Sequence, residues 1–186
     1  MTRPLVGYED RESVQFVPFP KIARLVSECT VTEKIDGTNA CVIVTDDGRQ
    51  VFAQSRSRII VPGDDNFGFA AWVKQHAEQL QELGPGHHHG EWWGLGIQRV
   101  YGQTRKRFSL FNTARWGDAS LRPECCDVVP VLWSGDFVGA PFYEIEQNLR
   151  THGSAAAPGF MRPEGFVVYH HRLNAYLKHP FDKEAP

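Results

Sequence analysis

The stretch from Val31 to Ser55 constrains the fold more than any other part of the chain. It contains VTEKI, NACVIVTD and QVFAQS, three short segments rich in Val, Ile, Thr and Phe, which is strand composition. Asp46-Asp47-Gly48 lies between the second and third segments and marks a tight hairpin turn. Neighbouring strands joined in this way run antiparallel.

The rest of the chain extends that pattern. Asp64-Asp65 read as the N-cap of a helix running to about Leu83. Phe69, Trp72, Val73, His76, Leu80 and Leu83 fall on one face of it, and Gly84-Pro85 stops it. Three more strand-like stretches follow at His88 to Gly94, Phe108 to Arg115 and Val128 to Trp133. A second helix is expected from Pro141 to Gly153, then a loop of small residues to Gly159, then strands at Gly165 to His170 and Ala175 to His179. The first 28 residues carry Pro4, Pro18 and Pro20 and read as an irregular lead-in, with a helical turn possible at Lys21 to Ser27. No repeat or linker divides the sequence. The expected class is α+β, mainly antiparallel sheet with a few packed helices.

Size and charge narrow the function. At 186 residues the chain suits one domain and is too short for two full-sized ones. Lys+Arg 20 against Asp+Glu 22 gives a net charge of -2, which excludes a protein driven onto nucleic acid by bulk charge but not one with a local basic groove. No apolar run is long enough to span a membrane, and the first residues lack the apolar stretch of a signal peptide. Cys29, Cys41, Cys125 and Cys126 form no CxxC pair, so neither a zinc knuckle nor a disulfide scaffold is indicated. A cytoplasmic protein is expected. His87-His88-His89 cannot all point at one ion from a strand. Gly94-Leu95-Gly96 lacks the third glycine of a dinucleotide fingerprint, and there is no Walker loop.

The segment with chemical content is Glu33-Lys34-Ile35-Asp36-Gly37-Thr38-Asn39. A lysine at a strand end, two residues before an aspartate, shares a face with it by strand alternation. Gly37 then lets the backbone turn sharply. This geometry suits a lysine nucleophile at a cleft with a carboxylate at its flank, and equally a solvated lysine on a surface hairpin. Three later blocks matter alongside it: GEWWGLGIQ at Gly90 to Gln98, FSLFN at Phe108 to Asn112, and EGFVV at Glu164 to Val168. With Ser55-Arg56 and Lys178, and in this order, they resemble the covalent nucleotidyltransferase superfamily of polynucleotide ligases and capping enzymes. Within it they look most like RNA ligases of the RNA ligase 2 type, over residues 31 to 178.

The resemblance implies two antiparallel sheets forming a nucleotide-binding cleft with flanking helices. It also implies an ATP-dependent ligase that works through a lysyl-AMP intermediate, passes AMP to a 5′-phosphate and lets a 3′-hydroxyl seal the strand. Lys34 would be the nucleophile, with Asp36 beside it. A free lysine, with a pKa of about 10.4, is neutral in only about one molecule in a few thousand at pH 7. A divalent metal, nearby cations or desolvation must therefore favour the neutral amine. Mg²⁺ or Mn²⁺ would offset phosphate charge, held by phosphate oxygens, water and Glu164. Glu33 would meet the adenine edge, Phe111 would stack on its ring, and Glu91 would bind the ribose hydroxyls. Asn39 and Arg56 would contact the nucleotide or the strand end, and Lys178 would hold the AMP phosphate. Phe111 reads equally well as a core aromatic. The implied partners are nucleic-acid ends, RNA ahead of DNA, and a separate accessory protein is possible.

Two features depart from the family pattern. The family ends its core with two lysines two residues apart, whereas here Tyr176 and Pro180 flank Lys178. Only eight residues follow Lys178, so the expectation is a single domain over 1–186 without a C-terminal accessory domain. Three alternatives follow: a minimal adenylyltransferase that only self-adenylates or seals pre-adenylated ends, a guanylate-transferring relative, or a degenerate module that binds nucleotide or nucleic-acid ends. Arg99, Arg105, Lys106 and Arg107 could form a phosphate-backbone track beside the cleft or a solvated basic loop.

Overall fold

The computed structural model describes residues 15–22 and 26–181. Residues 15–22 have no regular structure, and the turn considered at Lys21 to Ser27 lies in part outside the described residues. Among the described residues there are ten strands: β1 (Glu28–Lys34), β2 (Thr38–Val44), β3 (Val51–Ser55), β4 (Ile59–Ile60), β5 (Gly86–Gly94), β6 (Lys106–Leu110), β7 (Asp127–Val128), β8 (Val131–Asp136), β9 (Gly165–His170) and β10 (Ala175–Pro180). Four short α-helices accompany them among those residues: α1 (Phe69–Gln75), α2 (Ala77–Leu80), α3 (Thr113–Trp116) and α4 (Phe142–His152).

The strands form two sheets. One has the order β10-β9-β1-β8 and the other β4-β3-β2-β5-β6-β7. Every pairing is antiparallel except β6 with β7, which is parallel. The expected α+β class and two-sheet plan are present, with that one parallel pair added.

Each sheet buries one face, as alternation requires. In the larger sheet Ala40, Val42, Trp92, Phe108 and Leu110 point to one side and pack with Phe69, Val73, Leu80 and Leu83 of the helical region. In the smaller sheet Cys29, Val31, Phe166 and Val168 pack against Ile145 and Leu149 of α4. A third cluster of Ile35, Trp93, Tyr101, Val129 and Ala157 fills the space beneath the β1–β2 link.

Three details depart from the sequence pattern. The helix expected from Asp64 to Leu83 is broken at His76, whose φ of -107° leaves the helical region. The Trp72 carbonyl there meets both the His76 amide and its imidazole Nδ1. Asp65 does serve the helix start, accepting from the Ala70 and Ala71 amides, but across a looped-out Asn66–Gly68. The strand expected to run to Arg115 stops at Leu110, because the Asn112 side chain accepts from the Arg115 amide and caps α3. The strand expected over Val128 to Trp133 divides between the two sheets at Val129-Pro130, since a proline cannot donate to a ladder. Among the described residues no helix is long and apolar enough to cross a membrane.

Candidate active site

Lys34 is the last residue of β1, a strand enclosed by β8 and β9. Its Nζ donates to Glu164 Oε2 at 2.7 Å, and both side chains are mostly shielded from solvent. The register explains the meeting: Lys34 lies opposite Gly165, the residue after Glu164. Two segments 130 residues apart in sequence are thus brought together by one antiparallel ladder.

Beyond Lys34 the chain crosses to the larger sheet through Ile35, Asp36 and Gly37. Gly37 has no positive φ, so the turn itself does not demand glycine. Close approach does: a Cβ there would overlap the Trp92 carbonyl oxygen and crowd Trp93 Cβ and Glu91 Cγ. This corrects the sequence-based reason for that glycine. Because β1 has ended, alternation no longer sets the direction of Asp36. Its carboxylate accepts from Arg99 Nε at 2.9 Å, and its amide donates to the Tyr101 hydroxyl at 2.8 Å.

Glu91 belongs to β5, opposite Asn39 of β2 and Ser109 of β6. It is 8% exposed, and its Oε1 accepts from the Gly37 amide at 3.0 Å. Burial pushes its carboxyl up to about 8, opposed by the nearby Lys34 charge and the Gly37 bond. At neutral pH the group therefore holds its proton, so it can donate to one hydroxyl oxygen and accept from another. Asn39 is exposed beside it on the same sheet face. Phe111 is half-buried against the Ile35–Tyr101 cluster, and its amide donates to the His89 carbonyl. These positions place Lys34, Asp36, Asn39, Glu91, Phe111 and Glu164 around the junction of the two sheets.

The other candidates stand apart. Glu33 points to the opposite face of β1 and is 1% exposed. Its Oε1 accepts from Ser154 Oγ at 2.5 Å and its Oε2 from the Ala156 amide at 2.8 Å. Burial raises its pKa, and those hydrogen bonds oppose the rise. A contact with adenine would require the Ser154–Ala156 turn to release this carboxylate. Arg56 is exposed in the bend after β3. Lys178 is exposed on the edge strand β10, opposite Val167, which is opposite Thr32. By that register Lys178 shares a sheet face with Lys34, two residues along the ladder.

The basic run between β5 and β6 is largely committed to structure. Arg99 holds Asp36, Lys106 donates to the Phe67 carbonyl, and Arg107 grips Asp127 with both ends of its guanidinium. His87 and His89 share the open face of β5, whereas His88 is buried and bonded to the Gly84 carbonyl. Cys125 and Cys126 are partly and fully buried. Sequence reasoning missed the Tyr101 hydroxyl, Ser154 and the Arg99–Asp36 pair. Only the basic run around Arg99 gave any signal for them.

Lys34 thus stands at the junction of the two sheets, in contact with Glu164 and with Glu91 nearby. A family model described as RNA ligase matches residues 27–179, and the chain belongs to that family. Solved structures agree in fold. A Naegleria gruberi RNA ligase variant without ligand superposes with a TM-score of 0.59 at 20% identity, covering 83% of this chain and 49% of that one. Another variant of the Naegleria enzyme, with ATP and manganese, gives 0.58 at 17% identity with the same coverages. The Naegleria ligase with pyrophosphate gives 0.56 at 17%. The chain thus spans about half the length of the structures it matches. None of the curated proteins matches it significantly.

Proposed function

We propose that this chain is the nucleotidyl-transfer domain of an ATP-dependent RNA ligase, with Lys34 as the nucleophile. The observation that carries the reading is the Lys34 Nζ–Glu164 contact at 2.7 Å, in a cleft whose other wall holds Glu91 against Gly37. Family membership and the ATP, manganese and pyrophosphate named for the matched structures support it.

In the first step Nζ attacks the α-phosphorus of ATP. A nitrogen–phosphorus bond forms, the bond to the β-phosphate oxygen breaks, and pyrophosphate leaves. Lysine must lose a proton before attack, and Glu164 Oε2 is an acceptor within hydrogen-bond reach. The AMP then passes to a 5′-phosphate, freeing Lys34, and a 3′-hydroxyl displaces AMP as the strand is sealed. Glu91 holds the ribose, Phe111 stacks on the base, Asn39 and Arg56 contact the nucleotide or strand end, and Lys178 reaches the AMP phosphate. Asp36 and Tyr101 fix the link that follows the nucleophile. Glu33 anchors the Ser154–Ala156 turn behind the site.

A divalent ion, when bound, would neutralise charge on the phosphates. Among the described residues no group of three or more His, Cys, Asp and Glu side chains could hold a metal. Phosphate oxygens, water and Glu164 form an all-oxygen donor set, which suits Mg²⁺ or Mn²⁺. Protein incubated with ATP labelled on the α-phosphate and Mg²⁺ will retain acid-labile label on a denaturing gel, and Lys34→Ala will lose it entirely. Label that survives in Lys34→Ala would remove the nucleophile assignment. If no label appears on folded wild-type protein while a pre-adenylated strand is sealed, the function shrinks to the later steps.

A further inference from the structure

Cys125 and Cys126 take no part in the proposed reaction, and their sulfurs lie 3.9 Å apart. Cys126 is 4% exposed and belongs to the core beneath the larger sheet. Cys125 is half-buried and packs against the rim of that core. One thiol is therefore open to a small reagent, and the second stands directly behind it. Cys29 and Cys41 differ: both are buried within strands, and burial pushes both thiols up.

The surrounding loop holds the two sulfurs together. The Cys126 amide donates to the Pro123 carbonyl at 2.9 Å, closing a turn. Arg122 brackets that turn, with Nε on the Cys126 carbonyl and Nη1 on the Trp116 carbonyl. On the other side Asp127 is gripped by Arg107 and pairs with Ser109 of β6. The two sulfurs are also unlike each other. The Cys126 thiol donates to Cys125 and lowers it, against burial and the charges of Glu82 and Glu124. Cys126 is raised, by that same bond first and by burial next. Cys125 is thus the sulfur that ionises, and the thiolate is the form that reacts with oxidants. A half-exposed thiolate with a second thiol beside it is the arrangement that turns an oxidised sulfur into a disulfide.

We propose that Cys125–Cys126 is a reversible oxidation site, in which Cys125 meets a hydroperoxide and Cys126 resolves the product. The Cys125 thiolate attacks one peroxide oxygen. A sulfur–oxygen bond forms, the oxygen–oxygen bond breaks, sulfur gives up two electrons and hydroxide leaves. Cys126 then attacks the sulfenic sulfur. The sulfur–sulfur bond forms, the sulfur–oxygen bond breaks, and the oxygen departs as water with the Cys126 proton. Two thiols and one hydrogen peroxide thus give one disulfide and two waters. Neighbouring α-carbons are only about 3.8 Å apart across a trans peptide, under the usual disulfide span of about 4.4–6.8 Å. The ring is therefore strained and opens readily to a dithiol reductant. This chemistry needs neither ATP nor RNA, so it stands apart from the ligase reading.

The test treats the full chain with hydrogen peroxide, removes the peroxide, alkylates the unfolded protein with iodoacetamide and maps it by peptide mass. The peptide holding Cys125 and Cys126 is expected to be lighter than the dithiol by two hydrogens and free of alkyl groups. Cys29 and Cys41 are expected to be alkylated, and dithiothreitol before alkylation to restore both thiols at 125 and 126. Cys126→Ser should stop at a Cys125 sulfenic acid that dimedone traps, and Cys125→Ser should leave Cys126 reduced. If Cys125 advances to the sulfinic acid while Cys126 remains alkylatable, Cys126 does not resolve it. Oxidation of Cys29 and Cys41 at a similar rate overturns the selectivity. A disulfide-linked dimer on a non-reducing gel overturns ring closure in favour of pairing between chains. If peroxide leaves this peptide unchanged in the folded protein, there is no oxidation site. Wild-type protein alone gives each of these four results, so a variant that fails to fold does not block the test.

Discussion

Strands β1 and β10 belong to the same sheet, each carries a lysine that the family resemblance assigns to AMP chemistry, and they hold it in opposite ways. β1 has a neighbour on each side, and its lysine is clamped by Glu164. β10 is an edge, and Tyr176 to His179 along it are exposed. A nucleophile must meet phosphorus along one line, so it gains from a rigid support. A side chain that follows a phosphate through several steps gains from reach. Under the proposed function the same sheet would supply both, since one lysine lies at its centre and the other at its rim.

The largest effect should come from the link that β1 feeds. Gly37→Ala forces a methyl group into the Trp92 carbonyl and should abolish labelling, with a stability loss of about 1–3 kcal/mol. Denaturant melts and the labelling gel read both. Wild-type labelling in that variant would mean the rigid side of the comparison is wrong.

Next is a pH effect at Glu91. Its carboxyl moves from 4.5 to about 8 on folding. Below pH 4.5 both states are protonated and burial costs nothing extra. Between pH 4.5 and 8 the unfolded chain ionises while the folded one stays protonated, so stability falls as pH rises. Above pH 8 the loss is complete, on the order of 5 kcal/mol by linkage. Glu91→Gln lacks this ionisation, so its Tm relative to wild type should climb from pH 4.5 to 8 and then level off. A difference that stays flat with pH would remove the buried-carboxyl account.

Tyr101→Phe takes the acceptor from the Asp36 amide. It should cost about 1 kcal/mol and slow labelling several-fold at unchanged KM for ATP, since Tyr101 positions the link and does not touch the nucleotide. Lys178→Ala should be the mildest. An exposed edge residue should move stability by no more than about 0.5 kcal/mol, and the change should appear as a raised KM for ATP. If Lys178→Ala abolished labelling as Lys34→Ala does, reach and rigidity would not be divided between the two strands.

Much of this was legible in the chain itself. The Val31–Ser55 pattern gave the first strands, Pro141 to Gly153 gave α4, and the order of the lysine, glutamate and phenylalanine blocks gave the family and the candidate residues that the structure gathers at the sheet junction. What was not legible depends on distant partners. The Glu33 carboxylate is spent on Ser154 and Ala156, more than 120 positions away. Gly37 is glycine because of a carbonyl in β5, and the Tyr101 hydroxyl serves an amide 65 residues earlier. Strand limits failed where a side chain competed for backbone groups, as at Asn112, or where Pro130 sent the chain from one sheet to the other.

That last crossing lies close to the first. The chain passes between the sheets at Ile35–Gly37 and again at Val129–Pro130, and the Pro130 carbonyl accepts from the Glu33 amide at 3.0 Å. Both joints therefore flank Lys34. Lys34 thus stands where the two sheets are tied together twice, by the chain itself and by the bond between their links, rather than at their free ends.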